Sequence, residues 1–167
     1  MQAIRRFSFL AAVLFTWGFP APPARAELTY DPPITIKKSR SSSERPFGRE
    51  GDPRKVKRVI RIEMSDTMRY FPAELRVKRG DTVRFVLKNT GRMPHDMVMG
   101  SMDELKKRAA LVKKDGEAAL RGASAARVAP GGTARLVWQF TRPGEYYYGC
   151  LVPGHFDAGM IGTIIVR

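Results

Sequence analysis

The stretch Gly149-Cys150-Leu151-Val152-Pro153-Gly154-His155-Phe156-Asp157-Ala158-Gly159-Met160 carries the chain's single cysteine, one of its two histidines and a methionine, with four residues between each and the next. Before it, Glu145 to Cys150 reads as a β-strand led in by the tight turn Arg142-Pro143-Gly144. After it, Met160 to Val166 reads as another strand. The stretch is therefore a loop that presents Cys150 where one strand ends, His155 along its course and Met160 where the next strand begins. Gly149, Gly154 and Gly159 let the loop wrap closely.

The same texture extends upstream. Val59 to Met64, Leu75 to Val77, Thr82 to Asn89, His95 to Met99 and Ala134 to Phe140 are short β-type runs, and Val83, Phe85 and Leu87 alternate onto one face. About seven strands at this spacing, joined by turns such as Lys78-Arg79-Gly80-Asp81, predict an all-β fold, an antiparallel β-sandwich. One short helical insertion interrupts it at about 102–115. Ser101-Met102-Asp103-Glu104 has the form of a capping box, Leu105, Ala109 and Val112 fall at helical spacing, and Gly116 supplies the stop. A further helical turn is predicted between Glu117 and about Arg127.

The N-terminal part has a different character. Arg5-Arg6, the apolar run Phe7 to Phe19 and the small-residue site Ala24-Arg25-Ala26 have the layout of a secretory signal peptide, too short to cross a membrane. Residues 1–26 are thus predicted to be removed, leaving a periplasmic protein. Residues 27–55 mix charges with turn formers such as Asp31-Pro32-Pro33 and Ser41-Ser42-Ser43, which predicts a flexible basic arm. The folded domain is then 56–167.

The formal net charge of the 167-residue chain is +14, and loss of Arg5, Arg6 and Arg25 lowers it by 3 to +11. So basic a chain raises the question of nucleic acid, but no nucleic-acid motif accompanies the charge and an exported protein does not meet that partner. The charge suits an acidic periplasmic redox partner or contact with an anionic membrane surface. The protein is expected to be a monomer. A lone thiol in an oxidising compartment cannot be an intramolecular staple and needs protection or a task.

His95, the other histidine, lies on a predicted strand 55 positions before Cys150. Taken singly, a buried cysteine or a methionine beside a strand is ordinary core. Together, a thiolate, two imidazoles and a long thioether are the ligand set of a type 1 copper site. The thiolate suits Cu(I), imidazole suits both oxidation states, and a weak axial methionine leaves the geometry between their preferences. Zinc also takes cysteine and histidine, but methionine is a poor fourth ligand for it. A binuclear copper centre needs two cysteines. A cysteine protease needs its cysteine and histidine on a different fold, and the helix that would activate a nucleophile is missing around Cys150. No enzyme activity is expected.

Gly144-Glu145-Tyr146-Tyr147-Tyr148-Gly149-Cys150, then Pro153-Gly154-His155 and Ala158-Gly159-Met160-Ile161-Gly162, resembles the C-terminal ligand segment of the cupredoxins, the plastocyanin/azurin-like blue copper proteins. Met93-Pro94-His95 resembles the segment that carries their first histidine. The likeness covers roughly 56–167, and the four-and-four spacing is that of rusticyanin-like and auracyanin-like members. It implies a Greek-key cupredoxin sandwich holding one copper ion through His95, Cys150, His155 and Met160, with Pro94, Asp96 and Gly149 around the ligands. His95-Asp96-Met97 followed by a helix is similar to the periplasmic copper-tolerance branch of bacteria. The resemblance implies single-electron transfer, with copper tolerance as the alternative role. Asp96 stands where many members have asparagine or serine. Gly149 stands where plastocyanin has a tyrosine port, so His155 is the expected port. Met93, Pro94, Leu151, Val152, Pro153 and Phe156 are expected to form a docking patch around it. Met97 and Met99 should share the core-facing side of their strand with His95.

Overall fold

The computed structural model describes residues 44–116 and 122–167. The predicted signal peptide and residues 27–43 of the predicted arm lie outside the described residues. The described strands are β1 (Gly48–Glu50), β2 (Arg58–Ser65), β3 (Arg69–Phe71), β4 (Glu74–Val77), β5 (Thr82–Asn89), β6 (His95–Gly100), β7 (Ala125–Val128), β8 (Thr133–Phe140), β9 (Gly144–Gly149) and β10 (Ile161–Val166). The single α-helix among the described residues, α1 (Met102–Asp115), follows β6. No described helix is long and apolar enough to cross a membrane.

The strands form two sheets, ordered β1-β8-β5-β2-β3 and β4-β10-β9-β6-β7. Alternation builds the interface between them. Ile60, Ile62 and Met64 of β2, Val83, Phe85 and Leu87 of β5, and Leu136, Trp138 and Phe140 of β8 point inward from the first sheet. Leu75, Val77, Met97, Met99, Val128, Tyr148, Ile164 and Val166 meet them from the second. The result is the expected β-sandwich.

It is not wholly antiparallel. β2 pairs parallel with β5, and β4 pairs parallel with β10. The chain leaves the first sheet after β3, contributes β4 to the second, and returns as β5 alongside β2. A period of two is the same for either pairing direction, so alternation alone could not reveal this crossover.

β6 is buried along its whole length. His95, Met97 and Met99 face the main core, as expected, whereas Val98 faces outward into a second cluster with Leu105 and Val112 of α1 and with Leu151. The helix thus covers the outer face of the second sheet. Its capping box forms as predicted: Ser101 Oγ accepts from the Glu104 N–H at 3.2 Å, and Glu104 Oε2 accepts from the Ser101 N–H at 2.9 Å. Gly116 ends the helix at φ 69°, the left-handed region that glycine tolerates best.

Two expectations need correction. The predicted flexible arm does not extend to residue 55: Phe47 is fully buried, β1 pairs with β8, and Pro53–Lys55 forms a 3-10 turn capped by Asp52. The apolar burial of one aromatic ring outweighs the polar composition around it. The helical turn predicted up to Arg127 is contradicted over Ala125–Val128, which is the edge strand β7 paired with β6 from Val98↔Ala125 to His95↔Val128. Pairing overrides the helix preference of Ala125 and Ala126; residues 117–121 lie outside the described residues.

Candidate metal centre

Three adjacent strands deliver the predicted ligands to one end of the sandwich. Cys150 follows β9, Met160 precedes β10, and His95 opens β6, which pairs with β9 through Val98↔Gly149. The loop is held by its own backbone: the Cys150 N–H donates to the Met160 carbonyl at 3.1 Å, the Met160 N–H to the His155 carbonyl at 3.0 Å, and the His155 N–H to the Val152 carbonyl at 3.0 Å. Ligands tied by strand and turn hydrogen bonds keep their places without the metal's help.

The three strongest donors converge. Cys150 Sγ lies 3.4 Å from His155 Nδ1 and 3.9 Å from His95 Nδ1, and all three donor atoms fall within 4.8 Å of one another. The two imidazole centroids are 5.0 Å apart. Thiolate and imidazole bonds of about 2.0–2.3 Å to a shared ion, at a trigonal angle, separate their donors by about 3.8 Å. The observed spacing fits that requirement. Met160 is fully buried in the same core cluster as Cys150. Cys150 and His95 are fully buried, and His155 keeps 7% of its surface exposed, so His155 is the histidine nearer the surface.

Burial pushes the Cys150 thiol up to about 11, against the pull of the Asp96 and Val152 backbone N–H groups that would stabilise the thiolate. Burial, then the charge of His95, lowers the pKa of His155, which favours the neutral imidazole whose Nδ1 lone pair a metal would need. A copper ion held here would supply a one-electron couple in a dry, preformed site. The chain's part is to hold the thiolate and two imidazoles in fixed places and to exclude water.

The residues around the ligands are more specific than the sequence disclosed. The Asp96 backbone N–H donates to Cys150 Sγ at 3.3 Å, and the Asp96 carbonyl accepts the Tyr70 hydroxyl at 2.5 Å. The Asp96 carboxylate, 1% exposed, receives Arg127 Nε at 2.7 Å and Nη2 at 3.2 Å. A buried carboxylate is thus paired, as burial demands. Buried Asn89, at the end of β5, donates through Nδ2 to the Met93 carbonyl at 2.7 Å and the Val128 carbonyl at 3.1 Å, and its Oδ1 accepts the Gly91 N–H at 2.8 Å. It ties the His95 loop to β7. Asp66 Oδ1 lies 3.1 Å from His95 Nε2. The Arg92 backbone N–H, and after it His95, holds the Asp66 carboxyl below its ordinary value. Sequence reasoning missed Asp66, Asn89 and Arg127; each is a common residue type without a spacing that marks it.

Gly149 has a packing reason. A Cβ there would lie 3.0 Å from the Phe156 ring and 3.5 Å from Leu105, so the ring fills the space a side chain would take. The expected docking patch is correspondingly smaller. Leu151 is 2% exposed in the α1 cluster, and Phe156, half-buried, packs against that cluster. Met93, 38% exposed, with Pro94 and Pro153, remains at the surface, and Val152 is half-buried.

The sequence profile of the copper binding proteins, plastocyanin/azurin family, matches residues 56–167. The chain belongs to that family. It is 45% identical over 125 residues to the copper-resistant cuproprotein CopI of Rubrivivax gelatinosus, covering 75% of this chain and 76% of that one. It is 32% identical over 111 residues to CopI of Vibrio cholerae serotype O1, covering 66% of each. Among solved structures, dithionite-reduced auracyanin from Roseiflexus castenholzii superposes with a TM-score of 0.60 at 26% identity, over 65% of this chain and 96% of that one. Auracyanin B gives 0.62 at 21% identity, over 75% and 99%, and bears on the fold. This cupredoxin is therefore a copper-binding protein, and His95, Cys150 and His155 form a cluster that could hold the ion, with Met160 nearby in the same core.

Proposed function

We propose that this cupredoxin is a periplasmic copper-tolerance protein that takes up one copper ion at a type 1 site made by His95, Cys150, His155 and Met160. The observation that carries the reading is the 45% identity over 125 residues to a protein named copper-resistant cuproprotein, beside the His95, Cys150 and His155 cluster that the fold assembles. A thiolate and two imidazoles accept both Cu(I) and Cu(II), so the site can hold the ion through a change of one electron. Sequestration behind fully buried Cys150 and His95 keeps it from free thiols and other proteins.

A second reading, single-electron carriage between periplasmic partners, is favoured by the exposed Met93, Pro94 and Pro153 on the loops that bear the ligands. The charge of the chain would steer it toward an acidic partner, and the protein would act as a monomeric carrier and not as an enzyme. Deletion of the gene separates the two. Growth arrested by added copper, restored by the wild-type chain but not by Cys150→Ser, is expected. A deletion strain that tolerates copper normally and respires poorly would reject tolerance in favour of carriage. Loading the purified protein with Cu(II) should produce intense thiolate-to-copper absorption that Cys150→Ser abolishes.

A further inference from the structure

We infer that Asp66 is the positioning residue of the copper site: its carboxylate fixes the orientation and tautomer of His95 and clamps the loop that delivers it. The inference rests on the type 1 copper reading of the cluster. His95 turns Nδ1 toward Cys150 Sγ, at 3.9 Å, which leaves Nε2 as the ring's proton-bearing nitrogen. That nitrogen is 3.1 Å from Asp66 Oδ1. The same oxygen accepts the Met93 N–H at 3.3 Å, and Oδ2 accepts the Arg92 N–H at 2.7 Å. One carboxylate therefore holds three groups of the segment 92–95.

The approach is built into the chain on both sides. A Cβ on Gly91 would lie 2.1 Å from Asp66 Oδ1, so the carboxylate can reach the loop only past a glycine. Asp66 itself stands in the turn between β2 and β3, fixed by the Met68 N–H to the Ser65 carbonyl at 3.1 Å and by Ser65 Oγ against Thr67 Oγ1 at 2.7 Å. Its side chain is 34% exposed whereas that of His95 is 0%. Water can therefore solvate the charge, while its hydrogen bond reaches a wholly buried ligand.

The chemical consequence follows from the general behaviour of carboxylate–histidine–metal triads. A carboxylate on the distal nitrogen makes the imidazole a stronger donor and fixes the ring, and loss of such a partner typically costs about 10–100-fold in metal affinity. A negative charge close to the ion also favours Cu(II) over Cu(I). The ratio of Cu(II) to Cu(I) affinity should thus depend on Asp66.

The test compares wild type with Asp66→Asn, which keeps an acceptor and removes the charge, and Asp66→Ala, which removes both. The Cu(II) spectrum of wild type comes first: a colourless wild type defeats the copper reading itself, whatever Asp66 does. In the diamagnetic Cu(I) form, nitrogen-detected NMR should show a slowly exchanging Nε2–H for His95, easily assigned in a chain with two histidines. That proton should persist in Asp66→Asn and exchange rapidly in Asp66→Ala. The affinity ratio should fall about tenfold in Asp66→Ala, a rise of about 59 mV in one-electron potential, and by less in Asp66→Asn. A coloured wild type with an affinity ratio unchanged within twofold in both variants, and an unaltered His95 proton, overturns the inference. Should Asp66→Ala fail to fold, Asp66→Asn decides alone: an unchanged ratio there, or loss of the proton despite the amide acceptor, overturns it equally.

Discussion

Phe47→Ala tests where the folded domain begins. Phe47 lies nine residues ahead of the segment matched by the family profile, in a stretch whose composition suggests an arm. Yet the ring is fully buried, stacked on Trp138 with centroids 4.9 Å apart and planes 28° apart, and tilted against Tyr146 at 5.3 Å. Its carbonyl also accepts the Thr141 N–H at 3.3 Å. Removing a buried phenylalanine costs about 3–5 kcal/mol, part transfer of the ring and part the gap it leaves. Pro46 and Trp138 line an open cleft, so neighbours can partly close that gap. This places the expected loss in the lower half, about 3–4 kcal/mol. For a domain of this size that corresponds to a fall in Tm of about 10–15 °C. The assay is urea unfolding followed by tryptophan emission, with the slope expected to stay constant while the midpoint moves. The copper spectrum serves as the control. Phe47 meets β9 at Tyr146, and Cys150 lies four residues along, about 13 Å in strand geometry, so the colour of the site should not change. A loss below about 1 kcal/mol would refute the packing argument and return Phe47 to a detached arm.

Gly149→Ala places a methyl 3.0 Å from the Phe156 ring and should cost about 1–3 kcal/mol by overpacking, with a shifted copper absorption as the ligand loop gives way; paired urea and visible spectra check both. Arg127→Leu leaves the Asp96 carboxylate without its bidentate partner. Breaking a buried pair costs about 3–5 kcal/mol, discounted here to about 2–3 because the Arg127 side chain is 27% exposed. A double-mutant cycle with Asp96→Asn should recover part of that loss, and strict additivity would argue against the pair. For Cys150, burial raises the thiol from an ordinary 9.0 to about 11, so folding favours the neutral form. The stability this contributes to metal-free protein is fully present below pH 9 and lost as pH rises through about 11, by up to about 2–3 kcal/mol. The urea midpoint measured against pH should fall in that window for wild type and not for Cys150→Ser.

The candidate metal cluster was legible because its side chains are scarce and chemically pointed. One cysteine and two histidines in 167 residues leave few ways to build a metal site, and the strand–loop–strand setting of Cys150, His155 and Met160 gives its geometry. The helix was legible through Ser101, Glu104 and Gly116, whose side chains and conformation act locally. What stayed hidden is what depends on distant contacts. Asp66 is one of 16 acidic residues and becomes special only when the turn after β2 meets Gly91. Phe47 is a lone aromatic among charges, and nothing near it in sequence reveals Trp138 as its partner. β6 loses the alternation of a half-exposed strand because α1 covers its outer face. The parallel pairing of β2 with β5 carries no period of its own.

Two of the hidden residues, Asp66 and Asn89, share a location, and that location has a consequence. Cys150, Met160 and His95 all come from the β10-β9-β6 part of the second sheet, where neighbouring strand ends set the donor spacing through backbone bonds. Asp66 and Asn89 come from the ends of β2 and β5 in the first sheet, and both grip residues 91–95 from across the sandwich. One sheet therefore makes the site and the other braces its first histidine. The ligand set is constrained by the chemistry of copper, which leaves little choice of residue. The brace has many workable solutions, since a carboxylate, an amide or a backbone carbonyl can each accept from an imidazole N–H. Two chains with the same four ligands can then hold the ion with different affinity ratios, set by the turn between β2 and β3, without any change in the loop from Cys150 to Met160.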